Sequence, residues 1–281
     1  MAEGSPLVRA GGRGRRGRLL LVLGIVMLAG MLLVTVFGPQ IAPYSATAVS
    51  PDSLAGPGAG HWLGTDSIGR DVLSRLVIGG RTTLLITFVA VALAVLAGLV
   101  LGLASGYVGG LTDEIIMRCL DVVFAFPVFL LAIAVVAALG PTVPNLILTI
   151  AIVYTPTMAR VVRAPVLSVK RWDHVEAARS VGVGELQIAL RHVLPLVVSP
   201  ILVQTSLTLA NTIFTVTALS FLGIGPPPPE PNWGGMLSEA RQFMELAPLT
   251  VIGPAAAIVF ATLTFIVLAN GLRDWLDVGS S

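Results

Sequence analysis

The feature that most constrains this chain is a set of six long apolar stretches that contain no charged residue. They lie at 19–38, 83–106, 122–139, 145–159, 196–218 and 249–272. A helix of about 20 apolar residues crosses a hydrocarbon core about 30 Å thick, and a central charge would cost roughly 2.5–3.5 kcal/mol. Only 11% of the 281 residues are charged, against about 25% in soluble domains. The sequence therefore predicts an all-α, polytopic membrane protein with six transmembrane helices.

The basic residues predict the orientation and the domain organisation. If the N-terminus is cytoplasmic, the inner segments hold thirteen of the 17 Lys and Arg residues and the outer segments hold four, as the positive-inside rule requires. Both termini are then cytoplasmic. The first stretch is longer than the apolar core of a signal peptide, so we interpret it as a retained helix. The predicted parts are a basic cytoplasmic tail (1–18), a first transmembrane helix (19–38), an extracytoplasmic segment (39–82), a core with five further helices (83–272) that includes a cytoplasmic loop (160–195), and a cytoplasmic tail (273–281).

Several functions are excluded by composition. The single lysine, Lys170, has no glycine-rich segment before it, so the chain lacks the phosphate-binding loop GxxxxGK[ST]. If a nucleotide powers this protein, another chain binds it. A single cysteine, Cys119, excludes an internal disulfide and a multi-cysteine metal site. No basic patch with interleaved aromatic residues predicts a nucleic-acid partner, and the segments between the stretches are too short for a soluble catalytic domain.

The loop between the fourth and fifth stretches predicts a compact cytoplasmic hairpin. Asp173 is placed to cap a short helix, DHVEAARSV, which the glycines of the following VGVG segment end. A second helix begins at Glu185 and continues to Pro195, where the chain enters the membrane. Two short helices joined by glycine fit the groove of a partner protein. An amphipathic hairpin lying on lipid headgroups explains the same pattern equally well.

Two outer segments contain further candidates. Asp66 with Arg70, and Asp71 with Arg75, have the acid-then-base spacing that stabilises a surface helix. The alternative is a contact with a partner protein, together with Trp62. In PPPPEPNWGG the four prolines predict a stiff, extended segment, and Trp233 suits a membrane–water interface. This segment is either a docking site or a lid over an outer gate.

The fifth stretch has one polar stripe. Its members recur about once per helical turn: Gln204, Thr208, Asn211 and Thr215. Such a stripe either joins helices through hydrogen bonds or lines a pathway. A neutral polar lining suits a cargo that offers hydrogen-bond donors and acceptors.

Five segments of the sequence resemble a known family. Glu176-Ala177-Ala178, then Gly182, then nine residues and His192-Val193-Leu194-Pro195, is similar to the EAA loop of permease subunits in bacterial binding-protein-dependent ABC importers. Segments 61–84, 102–133, 221–237 and 269–277 resemble the second permease subunit of the dipeptide/oligopeptide/nickel branch.

The resemblance implies the fold and the role of particular residues. It implies a six-helix permease that performs no chemistry itself and forms half of a translocation pathway. It also implies an ATPase-coupling site in the cytoplasmic loop, formed by Asp173, Glu176, Ala177, Ala178, Gly182, Leu194 and Pro195. Glu176 either stabilises its own helix through the helix dipole or pairs with a basic residue of the ATPase.

The partners and the cargo follow from the same resemblance. The expected partners are a homologous second permease, two ATPase subunits (or one fused ATPase), an extracytoplasmic substrate-binding protein and membrane lipid. ATP and Mg²⁺ are expected in the ATPase subunits, and this chain is expected to hold no cofactor and no metal. The expected location is the bacterial cytoplasmic (inner) membrane, and the expected cargo is di- or oligopeptides. Nickel or haem is the alternative cargo. A secondary transporter or a membrane-embedded enzyme is disfavoured, because no stretch contains an ionisable group.

Overall fold

A computed structural model of the chain describes residues 6–278, with side-chain environments for residues 15–276. Across the described residues, regular structure is helical apart from one isolated bridge between Thr65 and Asp71. The helices are α1 (Pro6–Val36), α2 (Gly38–Ile41), α3 (Val72–Val108), α4 (Gly110–Phe124), α5 (Val128–Leu139), α6 (Val143–Val169), α7 (Asp173–Ser180), α8 (Glu185–Ile188), α9 (Leu194–Phe221), α10 (Trp233–Ala240) and α11 (Leu249–Val278).

Five of the described helical segments are long and apolar enough to cross a membrane, and α4 with α5 makes a sixth when this bent pair counts as one span. The prediction of an all-α, polytopic membrane protein is confirmed. The spans differ in detail from the predicted stretches, because α3 begins eleven residues before the stretch at 83–106. Residues 1–5 and 279–281 of the two predicted cytoplasmic tails lie outside the described residues.

The predicted third span, 122–139, is not one straight helix. Helices α4 and α5 meet at an angle of 87°, and the break falls at residues 125–127. Pro127 lacks the N–H that would continue the helix, and its ring disfavours helical geometry at Phe126. Residues 140–142 join α5 to α6, and the Asn145 side-chain amide donates to the carbonyl oxygens of Leu139 (2.6 Å) and Gly140 (3.1 Å).

The most extensive helix contact joins α3 to α6, and glycines make it possible. These glycines recur every fourth residue along α3, at Gly98, Gly102 and Gly106. A Cβ atom built on Gly98 would lie 2.3 Å from Cβ of Met158, and one on Gly102 would lie 2.5 Å from the carbonyl oxygen of Ala159. The two helices run parallel, and their backbones approach more closely than any larger residue allows. Small residues at every fourth position are the usual solution in a membrane, where apolar side chains gain nothing by leaving lipid.

The helix directions place both described chain ends on one side of the bundle. We call the end that bears α7 the inner end and the opposite end the outer end. Helices α1 and α11 pack antiparallel, so that Gly17 lies against Asp274 and Gly24 against Leu268. At the outer end, the Tyr44 N–H donates to the Ser74 hydroxyl near the start of α3 (3.1 Å). Helix α1 therefore begins at the inner end, where α3, α6 and α11 finish.

Replacing Gly102 by valine is expected to separate α3 from α6. The added side chain would meet the Ala159 carbonyl oxygen and the Val162 side chain, and backbone atoms cannot move aside as a flexible side chain does. We expect a loss of about 3 kcal/mol or more of stability, measured as a large fall in the melting temperature of the purified protein in detergent. Gly30→Val is the matched control, because no atom lies within 4 Å of a Cβ at Gly30. Equal melting temperatures for the two variants would contradict this account of the contact.

Candidate functional site

The hairpin at the inner end has a buried apolar base. Val175 of α7 and Ile188 of α8 are both 0% exposed, and they belong to one cluster with Val162, Val166 and Val169 of α6. Because the two side chains are enclosed by the end of α6, the short helices are fixed in place rather than lying loosely on a surface. The first predicted short helix is confirmed as α7, whereas the second is the start of a longer helix that continues past Pro195. A contact with lipid headgroups would not require such a base.

Polar contacts fasten the same hairpin to the end of α3. Arg179 donates to both Glu185 carboxylate oxygens, through Nε at 2.8 Å and Nη2 at 3.3 Å. The Tyr107 hydroxyl donates to the same carboxylate. The hydrogen bond to Glu185 raises the pKa of Arg179 above its ordinary value, so this guanidinium stays charged. Tyr107 was not among the predicted residues, because its partner lies 78 positions away and no local pattern links them.

The turn after α7 is a Schellman motif. The N–H of Gly182 donates to the carbonyl oxygen of Arg179 (3.0 Å), and the N–H of Val183 donates to that of Ala178 (3.2 Å). Gly182 has a φ of +79°, a conformation that costs other residues roughly 1–2 kcal/mol. The requirement for glycine at this position is therefore conformational, since no atom lies within 4 Å of a Cβ built there.

Five of the seven predicted coupling residues lie on α7 or at the turn that follows it. Asp173, Glu176, Ala177 and Gly182 are exposed and Ala178 is half-buried. The predicted cap is wrong: Trp172 occupies the N-cap position without a side-chain hydrogen bond, and Asp173 is the first helical residue. Its charge still favours the helix dipole from that position.

The second hairpin helix runs into the fifth span without a loop. A π-helical segment, Ala189–Val193, joins α8 to α9, so that 185–221 forms one continuous rod. Leu194 and Pro195 therefore lie inside a helix, at the foot of the span, rather than at a break. Pro195 lacks a backbone N–H, and a wider π turn just before it is the usual local adjustment to such a defect.

The polar stripe of α9 is divided between two environments. Thr208 and Thr215 are buried, and the Thr215 hydroxyl lies 2.9 Å from the Tyr154 hydroxyl of α6. Asn211 is exposed and Gln204 is half-buried. The stripe is therefore part helix contact and part open surface, and the lining of a pathway by its more exposed members stays a prediction.

At the outer end, Asp71 is the N-cap of α3. One carboxylate oxygen accepts hydrogen bonds from the N–H (2.7 Å) and hydroxyl (2.6 Å) of Ser74, and the other lies 2.9 Å from Nδ1 of His61. The predicted surface helix across residues 66–75 is wrong, because residues 61–70 form turns and α3 begins at Val72. The N-cap preference of aspartate set the start of the helix here.

Two buried arginines share carboxylates beside this cap. Arg70 and Arg75 are 7% and 3% exposed, and they donate to one Glu239 oxygen at 2.6 Å and 2.8 Å. Arg70 also donates to Asp66 at 2.6 Å. The sequence correctly paired Asp66 with Arg70 but missed Glu239, which lies more than 160 positions away. We call Asp66, Arg70, Arg75 and Glu239 the outer ionic cluster.

The two predicted outer tryptophans have different environments. Trp62 is 70% exposed, whereas Trp233 is 6% exposed. The Trp233 indole N–H donates to the Leu76 carbonyl oxygen (2.9 Å), and its backbone N–H donates to the Thr83 hydroxyl (3.2 Å). Trp233 therefore fastens α10 to α3, and its interfacial depth in the membrane stays a prediction. The preceding prolines are not one extended segment, because residues 228–229 form a turn.

Comparison with known proteins gives the family. The chain matches the family described as "Binding-protein-dependent transport system inner membrane component" over residues 98–279. It is 41% identical to the dipeptide transport system permease protein DppC of Alkalihalophilus pseudofirmus, over 92% of this chain and 85% of the relative. It is 43% identical to the glutathione transport system permease protein GsiD of Pectobacterium atrosepticum, over 88% of this chain and 83% of the relative.

A solved structure shows the same fold. The model superposes on a chain of the MetNI methionine ABC transporter in an inward-facing conformation with a TM-score of 0.59, at 18% identity, over 73% of this chain and 96% of the other. The fold is therefore that of an ABC transporter membrane subunit. The chain belongs to the family of inner-membrane components of binding-protein-dependent transport systems.

Removing the charge of Glu239 is expected to destabilise the outer end. Glu239→Gln leaves two buried guanidinium groups with one carboxylate between them. Breaking a buried ion pair costs about 3–5 kcal/mol, and the partial exposure of Glu239 reduces this to about 2 kcal/mol. The melting temperature in detergent should fall by several degrees, whereas Glu245→Gln, at an exposed position in the loop after α10, should leave it unchanged. A cluster without energetic importance would give the same melting temperature for both.

Proposed function

We propose that this chain is a permease subunit of an ATP-driven importer for short peptides. Two named relatives support peptide as the cargo, since one is a dipeptide permease and the other a permease for glutathione, itself a short peptide. The family places the chain in the inner membrane as a multi-pass component. In this proposal the subunit forms half of the translocation pathway, and a homologous second permease forms the other half.

The observation that carries the proposal is the rigid inner hairpin. Its base is fixed by Val175 and Ile188, which are 0% exposed, while Glu176, Ala177 and Gly182 remain exposed at its tip. A small exposed surface on a rigid support suits a coupling element that transmits motion between subunits. We propose that it seats in a cleft of an ATPase subunit. The importer would have two such subunits, or one fused ATPase, which bind ATP and Mg²⁺.

The outer end and the pathway complete the arrangement. A substrate-binding protein delivers the peptide to the outer end, where exposed Trp62 is a contact candidate. Gln204 and Asn211 are proposed to face the pathway, because they lie toward the uncovered side of α9. The basic residues support cytoplasmic termini, with the inner hairpin on the same side.

Reconstituted transport tests the function as a whole. The permease pair with its ATPase subunits is placed in lipid vesicles, and the binding protein loaded with a labelled dipeptide is added outside. ATP-dependent accumulation of the dipeptide is the expected result. Accumulation of nickel or haem with no peptide uptake would show that the cargo is nickel or haem rather than a peptide. Uptake driven by a proton gradient without ATP would overturn the proposal.

Gly182→Val is expected to abolish coupling without preventing membrane insertion. A β-branched residue is strained at a φ of +79°, so the Schellman turn and the exposed surface it holds should distort. We expect at least a tenfold loss of ATP-dependent uptake at a normal level of protein in the membrane. Gly184→Val is the matched control, because Gly184 has a φ of −64° and open space around it. Gly182→Asn should restore part of the uptake, since asparagine tolerates this conformation. Normal uptake by Gly182→Val would refute the role of the turn.

A further inference from the structure

An open groove of about 810 Å³ lies at the outer end of the bundle. Four parts of the chain line it: the segment 39–47, the outer part of α3, Val143 at the start of α6, and Glu230 with Pro231 in the proline-rich loop that joins α9 to α10. Small-molecule sites in proteins have volumes of roughly 300–1,000 Å³. The groove is therefore large enough for a ligand of considerable size.

The groove lies at the outer boundary of the apolar part of the bundle. Three of the six apolar stretches begin or end within two residues of its lining. They are 19–38, 83–106 and 145–159, next to Pro39, Arg81 and Val143 respectively. In a bilayer the polar headgroups lie directly beside the hydrocarbon core, so a lipid headgroup is the polar group that the membrane itself supplies at this height.

Two opposite charges line the groove without an ionic partner in the described part of the chain. Arg81 and Glu230 are both exposed. The ion pairs of the described residues include neither of them, in contrast to Arg70 and Arg75 in the outer ionic cluster. A ligand that has one anionic group and one cationic group would therefore satisfy both side chains.

An exposed apolar stripe continues along α3 from Arg81 toward the middle of the bundle. Its members lie three or four residues apart, at Leu85, Val89, Leu93 and Leu96. Residues at this spacing lie on one face of a helix, so the stripe continues directly below Arg81. It is about 16 Å long at 1.5 Å per residue, which matches one leaflet of a hydrocarbon core about 30 Å thick. The stripe has no polar member, whereas the open face of α9 includes Asn211, so an acyl chain suits it better than water.

We propose that this groove binds one phospholipid whose headgroup carries a primary amine, as in phosphatidylethanolamine. The phosphate accepts hydrogen bonds from the Arg81 guanidinium, whose planar donors match phosphate oxygens. The ammonium group lies toward the Glu230 carboxylate, and one acyl chain lies along the exposed stripe of α3. A headgroup without an amine leaves Glu230 unpaired, and a trimethylated amine offers it no N–H donor. The bound lipid thus connects α3 with the proline-rich loop.

Native mass spectrometry of the purified transporter complex tests the site. The delipidated complex in detergent is mixed with equal amounts of phosphatidylethanolamine, phosphatidylglycerol and phosphatidylcholine that have identical acyl chains. We expect preferential retention of phosphatidylethanolamine. Arg81→Gln should weaken that retention about tenfold, as expected for a lost hydrogen bond to a charged group. Arg241→Gln is the matched control, because Arg241 is also exposed at the outer end but lies beside the Phe221 ring, 5.9 Å from its centre. Equal retention by the two variants would overturn the proposal.

The contact with the amine is tested by Glu230→Gln. In this variant the preference for phosphatidylethanolamine over phosphatidylglycerol should disappear, because the carboxylate that attracts the ammonium group and repels an anionic headgroup is gone. Glu245→Gln, at an exposed position in the loop after α10, should keep the preference of the wild type. An unchanged preference in Glu230→Gln would overturn the proposal in favour of a site that recognises the phosphate alone.

Thermal stability separates loss of the lipid from loss of the fold. Without added lipid, Arg81→Gln and Glu230→Gln should melt at the temperature of the wild type, because both side chains are exposed. Added phosphatidylethanolamine should raise the melting temperature of the wild type, since a ligand of the folded state stabilises it, but not that of Arg81→Gln. An equal rise in both would overturn the site. Displacement of the lipid by millimolar L-alanyl-L-alanine would overturn the lipid assignment in favour of the transported cargo.

Discussion

The contact between α3 and α6 is the constraint on which the rest of the structure depends. Lipid offers no hydrophobic gain for helix association, so close packing must supply the attraction. The α3 glycines supply it by letting a backbone carbonyl of α6 approach within 2.5 Å of where a Cβ of Gly102 would lie. Because the two helices are parallel, their inner ends meet, and the Lys170 ammonium donates to the Gly106 carbonyl oxygen there (2.7 Å). The inner hairpin follows directly after α6, so its position is fixed by this contact between the inner ends of α3 and α6.

One continuous helical segment connects the inner end of the molecule to the outer end. Residues 185–221 run from the inner hairpin, through the π segment, to Ser220 near the outer end of the bundle. A rigid helix transmits displacement better than a loop, because its backbone hydrogen bonds resist bending. The π segment lies at the foot of this rod, where helices most readily adjust their direction. The geometry thus places the adaptable point beside the proposed ATPase surface and the stiff section within the membrane.

Local patterns in the sequence predicted the features that depend on neighbouring residues, namely the membrane spans and the end of α7. The apolar stretches predicted the spans, and the glycine after Val181 predicted the end of α7, because each signal concerns neighbouring residues. The break at Pro127 was equally local but was outweighed by the charge-free run around it. The contacts of Glu239, Tyr107 and Trp233 lay beyond such reasoning. Each joins residues more than 70 positions apart, and nothing in one sequence indicates which distant partner a side chain will meet.

The outer ionic cluster also explains how basic residues are tolerated on the side where few are expected. Four of the 17 basic residues lie in the predicted outer segments, and two of these, Arg70 and Arg75, are buried against Asp66 and Glu239. Their charges are therefore neutralised inside the protein rather than exposed at the membrane surface. The same burial leaves Arg75 with one donor that its carboxylate partners do not reach. The ion pairs with Glu239 thereby hold α10 against the start of α3 at the outer end.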